Sequence, residues 1–234
     1  MATIDLATKF APYVDEQFKS ESKRNLLTNQ DYDWTGAHSI KIYKISTSEM
    51  NDYDRAGTNT ETNWSRFGAV AGLDATTEEM TLTKDRSFTF AIDKLDTDET
   101  AQQLAAATAL SRQNREIVIP EVDTYVYNVM VTKAGTKPAA VALTADNIYT
   151  EILKASEALD DAEVPETNRV LLVTPATYAL MKQNKEITLD SDIGQEMRLR
   201  GVIGLLDGAA VVKVPKVRLP ANFGFMMVHP SATV

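Results

Sequence analysis

From about residue 38 the chain alternates with a period of two. Ile40, Ile42 and Lys44 fall on one side, and Lys41, Tyr43 and Ile45 on the other. β-Branched and aromatic residues in that alternation predict a strand. A second alternating run starts at Met80: Met80, Leu82, Lys84, Arg86, Phe88, Phe90 and Ile92 share one parity, and Thr81, Thr83, Asp85, Ser87, Thr89 and Ala91 the other. At about 3.3 Å per residue such a strand would reach about 43 Å, longer than an ordinary strand. Between the runs, residues 46–79 are polar and rich in Thr, Asn, Asp and Gly, with an apolar island at 67–73. The pattern describes a long two-stranded ribbon with an elaborated tip. A ribbon of two strands is marginal in water on its own, and its open edges invite another chain. It is therefore expected to lie on a neighbouring copy, with Phe88 to Ile92 held by the parent domain and Lys84 and Arg86 projecting outward. The competing expectation is a ribbon folded back on its own domain.

Upstream, Ile4, Leu6, Phe10, Val14 and Phe18 carry weak helical spacing before a polar run at 19–25. This reads either as an arm or as a helix packed on its own domain. Downstream, Asp96 to Glu99 has the form of a capping box whose acidic first turn suits the helix dipole. The Ala-, Leu-, Gln- and Arg-rich run that follows favours helix. Pro120 interrupts it, and Val122, Tyr125, Val126 and Val129 resume the spacing. One helix of roughly 33 residues and about 50 Å, kinked near Pro120, fits this pattern.

After a turn-rich hinge at 133–138, helix and strand signals alternate. Thr144 is placed to cap a helix running to about Leu159, with Ile148, Ile152, Leu153 and Leu159 inward. A strand is expected at 169–173. Thr174–Pro175 then opens a helix carrying Tyr178, Leu180 and Met181. Two apolar runs within 201–214 flank Asp207–Gly208, a hairpin signal, and 223–228 reads as a buried strand. This half predicts an α/β domain. No period of 20–50 residues recurs, which argues against a solenoid or propeller.

Composition narrows the function. The 234 residues are 44% hydrophobic and 24% charged, ordinary for a globular chain of one large or two modest domains. Without cysteine there is no disulfide, thiolate metal site or cysteine nucleophile, which suits assembly in a reducing cytosol. No run approaches the roughly 20 apolar residues of a membrane helix, and the first residues lack signal-peptide order, so no membrane partner is expected. The 33 acidic against 24 basic residues give a net charge of −9, the wrong sign for gripping phosphates.

Catalytic and metal motifs are missing. His38 and His229 are the only histidines, and neither has metal-ligand spacing. There is no GxSxG, phosphate-binding loop or dinucleotide fingerprint. Paired carboxylates such as Asp160/Asp161 and Glu78/Glu79 read as solvated surface, and the stretch Asp190, Ser191, Asp192 lacks the distal Glu of a calcium loop. No catalytic residue, metal or cofactor is assigned. Trp, Tyr and Arg commonly anchor interfaces, so Trp64, Arg66 and Phe67, together with Lys84 and Arg86, are the candidate intersubunit contacts. The alternative for Trp64 is a ring tucked onto its own hairpin.

The run Asp85–Arg86–Ser87–Phe88–Thr89–Phe90–Ala91–Ile92–Asp93 leading into the helix, then Val118–Ile119–Pro120–Glu121–Val122–Asp123, and later Phe225–Met226–Met227–Val228–His229–Pro230, resemble strings in the major capsid proteins of tailed bacteriophages. That family has the Hong Kong-ninety-seven type of capsid fold, and the similar strings occur in phages and prophages of Gram-positive bacteria. The resemblance implies an α+β fold with an N-terminal arm (1–33), an extended β-ribbon loop (34–92), a spine helix of a peripheral domain (93–137) and an α/β axial domain (138–234). It implies a virion shell subunit, assembled in the bacterial cytoplasm, whose partner is itself in pentamers and hexamers. Scaffold, portal or decoration proteins are further partners of such shells, and the packaged DNA is enclosed only loosely. Family members continue past the point matching Val234 and return to the peripheral domain, so a C-terminal piece is expected to be absent here or the chain to be a short version. The same fold also serves encapsulin-like compartments. A monomeric binding module and a carboxylate-using hydrolase are the readings from other classes.

Overall fold

The computed structural model describes residues 21–31, 39–57, 66–68, 72–91, 106–187 and 202–233. The arm residues 1–20, the capping box at 96–99, Trp34, His38, Trp64, Asp190 and Asp192 lie outside the described residues. The chain divides into two compact units, residues 33–89 and residues 1–32 with 90–234.

The smaller unit is the ribbon. Strand β1 (Ser39–Ile45) pairs antiparallel with β2 (Ala75–Thr81), from Ser39 opposite Thr81 to Ile45 opposite Ala75. Seven residues a strand give about 23 Å, roughly half of the expected length. The expected strand at 80–92 is thus corrected in its bounds: Met80 and Thr81 end β2, and no strand is assigned over the described residues 82–91. The register explains the shift. It sets Ile40 opposite Met80 and Lys41 opposite Glu79, and brings Lys44 into an ion pair with Glu78. Such cross-strand pairs select a register, and parity within one strand does not reveal them.

The larger unit holds the core. Its four-stranded sheet has the order β4–β5–β3–β6, with β3 (Val170–Val173), β4 (Val202–Leu206), β5 (Ala209–Lys213) and β6 (Phe225–Val228). Strand β3 runs parallel to β5 and antiparallel to β6. The β4–β5 hairpin turns at Asp207 and Gly208, both at positive φ, as the two-residue turn requires. All four β3 residues are buried. Val170 and Leu172 belong to one core cluster with Leu27, Tyr127, Met130 and Val212, whereas Leu171 and Val173 join Ile148, Ile152, Met181 and Val211 in a second. A strand covered on both faces has no reason to alternate, hence the unbroken apolar run.

Helix α1 (Ala106–Gln113) continues through a π segment (Asn114–Val118) into α2 (Ile119–Lys133). Proline has no N–H to give, and in α register its ring would meet the carbonyl of Glu116. The wider turn, closed by the Ile119 N–H on the Asn114 oxygen, carries the backbone past that clash. Helix α2 packs Tyr127 and Met130 onto the first cluster.

Helices α3 (Ile148–Asp160) and α4 (Pro175–Gln183) serve the second cluster through Ile148, Ile152 and Met181. Thr144 caps the entry to α3 as expected: its Oγ1 accepts from the Asn147 N–H at 3.3 Å, its own N–H donates to the Asn147 Oδ1 at 2.8 Å, and the Ile148 N–H donates to its carbonyl, the reciprocal pattern of a capping box. Leu153, expected inward, is exposed; with Glu157 and Asp160 it falls on the outer side at helical spacing. Thr174 caps α4 as expected, its Oγ1 accepting from the Thr177 N–H at 3.0 Å.

Candidate functional site

The ribbon has almost nothing to bury. Along β1 and β2 only Ser39, Ile40, Ile42 and Met80 are half-buried, and the rest are exposed. Tyr43 is 75% exposed and Ile45 70% exposed, on the same side of the ribbon and at its tip end. Large apolar side chains held in water on a two-stranded support are unfavourable unless something covers them.

The tip is built rather than loose. The Asp54 N–H donates to the Arg66 carbonyl at 3.0 Å. The Gly57 N–H donates to the Asp54 carboxylate at 2.9 Å. Phe67 stands tilted against Tyr53 with ring centroids 5.3 Å apart, a favoured aromatic geometry, yet the Phe67 side chain remains 76% exposed. Gly68 locks this fold: it sits at φ +90°, and a Cβ there would lie 2.5 Å from the Asn51 side chain.

Of the candidate contacts, the structure brings Arg66 and Phe67 together at this tip, and Trp64 lies outside the described residues. Lys84 and Arg86 are exposed in the stretch that leaves β2. Because β2 enters at the tip and leaves at the root, they follow the opposite end of the ribbon. The sequence reading missed Tyr53 and Asn51. The signal available was the pairing of an aromatic before a turn with one after it, which the polar composition of 46–79 obscured.

A second arrangement lies in the larger unit. Asp123 on α2 and Arg218, in a short 3₁₀ turn, form a buried ion pair at 2.7 Å. Ser22 donates to the other Asp123 oxygen at 2.6 Å, and Arg218 also donates to the Glu21 carbonyl at 3.3 Å. Leu27 is fully buried in the first cluster. Residues 21–27 are therefore tied down on their own unit, while the helical spacing expected at 4–18 lies outside the described residues. Beside the pair, the hydroxyl of fully buried Tyr127 lies by the Lys23 backbone but makes no hydrogen bond of ordinary geometry. Burial and then the Asp123 charge push its ionisation well above the tyrosine range; the Arg218 and Arg24 charges and the nearby Lys23 backbone act in the opposite direction.

Among the described residues, no three His, Asp or Glu side chains converge as metal ligands, and no helix is long and apolar enough to cross a membrane. His229 ends β6, and its Nδ1 accepts from the Ser231 N–H at 3.3 Å, a turn-forming role.

No family model matches the chain, and no curated protein matches it. Solved structures do. A structure from Mycobacterium phage Che8 aligns with a TM-score of 0.69 at 22% identity, covering 99% of this chain and 83% of that one. The capsid structure of cyanophage P-SCSP1u aligns with a TM-score of 0.63 at 17% identity, covering 92% of this chain and 68% of the other. The mature capsid of bacteriophage PhiM1 aligns with a TM-score of 0.58 at 13% identity, covering 97% and 78%. At these identities the likeness establishes the fold: a mixed α+β chain with the architecture of phage capsid structures.

Proposed function

We propose that this chain is the major capsid subunit of a tailed bacteriophage, self-assembling into an icosahedral shell that encloses the phage DNA. The observation that carries this reading is a ribbon whose apolar side chains, Tyr43, Ile45 and Phe67, stand exposed on a chain with a phage capsid fold. A side chain that costs free energy in water contributes favourably once a neighbouring subunit covers it, at about 25 cal/mol per Å². Each such contact is modest, and repetition around a closed lattice multiplies it.

In this reading the fold is of the Hong Kong-ninety-seven type, with a host among Gram-positive bacteria, as the strings around Phe88–Phe90 and Pro120–Asp123 suggest. The helix through Pro120 is the spine of a peripheral domain (93–137), and residues 138–234 form the axial domain around which pentamers and hexamers close. The extended loop (34–92) lies across the next subunit, with Trp64, Arg66, Phe67, Lys84 and Arg86 as its contacts. The chain works as a structural element rather than an enzyme, in the virion shell and before that in the host cytoplasm, where scaffold, portal or decoration proteins would join it. Fold likeness supports this and does not by itself carry function.

The test is the mass of the purified protein across a concentration series, with negative-stain imaging of the heaviest fraction. Rings, sheets or closed particles that grow with concentration are expected. A strict monomer at every concentration would sink the proposal. Phe67→Ala and Tyr53→Ala should raise the concentration at which particles appear by at least about tenfold, the effect of losing about 1.4 kcal/mol per contact.

A further inference from the structure

Among the described residues of the larger unit, charges of opposite sign collect at opposite ends of the sheet. Strands β3 and β5 are parallel, with Val170 opposite Ala210 and Val173 opposite Lys213, so the sheet has one end where both strands start and one where both finish. At the finishing end, Lys213 places its ammonium 5.4 Å from the Tyr178 ring centroid, and Lys182 places its own 5.6 Å from the same ring. Both distances suit cation–π attraction. Neither lysine has a carboxylate partner among the described residues. Lys23 is also close: burial first, and the Lys213 charge second, push its ammonium down from the usual lysine range, with Glu21 opposing. The turn directly after Lys213 adds exposed Lys216 and Val217, the latter 91% exposed. Two ammonium groups thus share one ring, with a third, Lys23, near enough to Lys213 to feel its charge, in a chain whose net charge is −9.

The starting end carries the opposite sign. The connection from α3 into β3 holds exposed Asp160, Asp161, Glu163 and Glu166. Arg169, itself buried, answers Asp160 alone, at 2.7 Å. The Ala210 N–H donates to the Arg169 carbonyl, which fixes this loop and the exposed Asp207 of the β4–β5 turn at the same end of the sheet. Leu153, 42% exposed, stands one helical turn before Glu157 on the outer side of α3. Each end therefore combines several like charges with an exposed aliphatic side chain.

We infer that these two ends are complementary halves of one heterologous contact between copies of this chain, the Lys182–Lys213 end of one copy seating the Asp160–Glu166 loop and Asp207 of the next. The inference rests on the shell reading and names a surface for it. A patch that meets a different patch on the next copy propagates head to tail and forms a ring when the rotation between copies closes, and opposite potentials fix register while like ends repel. Exposed Val217 favours a protein partner over nucleic acid, because a phosphate backbone gives nothing to an aliphatic side chain.

The experiment is a charge swap in the full chain. Lys182→Glu with Lys213→Glu in one variant, and Asp161→Lys with Glu166→Lys in another, should each raise the concentration needed for particles by about tenfold or more. Mixing the two variants should bring it back toward wild type, since basic then meets acidic again across half of the contacts. Wild-type assembly should also weaken as salt rises from low to molar ionic strength, a readout independent of whether either variant folds. Wild-type particles that are indifferent to salt, or folded variants that assemble normally or are not rescued by mixing, overturn the inference and leave the shell reading standing. A wild type that stays monomeric fails the shell reading itself. Loss of short-duplex DNA binding in the lysine variant, with assembly intact, would assign the patch to nucleic acid and overturn the contact.

Discussion

Asp123 is the residue at which one substitution should travel furthest. It accepts from Arg218 and from Ser22 while almost wholly buried, so Asp123→Ala leaves a guanidinium without its counter-charge and frees a residue of the N-terminal segment. Breaking such a pair costs about 3–5 kcal/mol. Urea unfolding should show that loss, and pairing the change with Arg218→Met should recover much of it. Tyr127 behaves in the opposite way. Its hydroxyl is buried without a hydrogen bond of ordinary geometry, so Tyr127→Phe should be neutral or stabilising by up to about 1 kcal/mol. The pH dependence has a fixed sign. Because the folded-state value lies above the ordinary 10.0, the folded chain keeps a proton that the unfolded chain gives up. Stability is therefore whole below about pH 10 and falls as pH rises beyond it. Thermal melts between pH 9 and 11.5 should show that alkaline decline in the wild type and a shallower one in Tyr127→Phe. None of this was legible in the sequence: Asp123 sits inside the capsid-like string 118–123, but its partners are 95 and 101 residues away, and no periodicity reports such a distance.

At the scale of elements, local signals served wherever the deciding contacts were local. The Thr174 cap, the Asp207–Gly208 turn and the helix on either side of Pro120 depend on neighbours a few residues apart, and each stands where the residues placed it. The ribbon's second strand did not, because its register is settled across the gap by Lys41 with Glu79 and Lys44 with Glu78. These exposed pairs are weak singly, at most about 1 kcal/mol, so their part is to choose the register rather than to hold it. Gly68 has the stronger effect on the tip. Gly68→Ala combines a positive φ with a collision against Asn51 and should unseat Phe67 from Tyr53. Loss of the Phe67–Tyr53 cross-peaks in NMR, with the signals of Leu171 and Val211 unmoved, is the expected outcome.

Over the whole molecule, every described residue of the two core clusters comes from outside 33–89. Deleting 51–63 should accordingly leave the unfolding free energy within about 0.5 kcal/mol of wild type, while light scattering shows weakened self-association. A monomeric binding module would lose neither. The reach of the core along the chain has a consequence in time as well as in space. Leu27 packs into the same cluster as Val228, so the ribosome must make everything between them before that cluster can close. Contacts so far apart in sequence form slowly. The ribbon leaves the tunnel long before β6 arrives to pair with β3. A half-made chain thus has an exposed ribbon but no finished body to present it, so on the proposed shell reading translation places folding ahead of contact between copies.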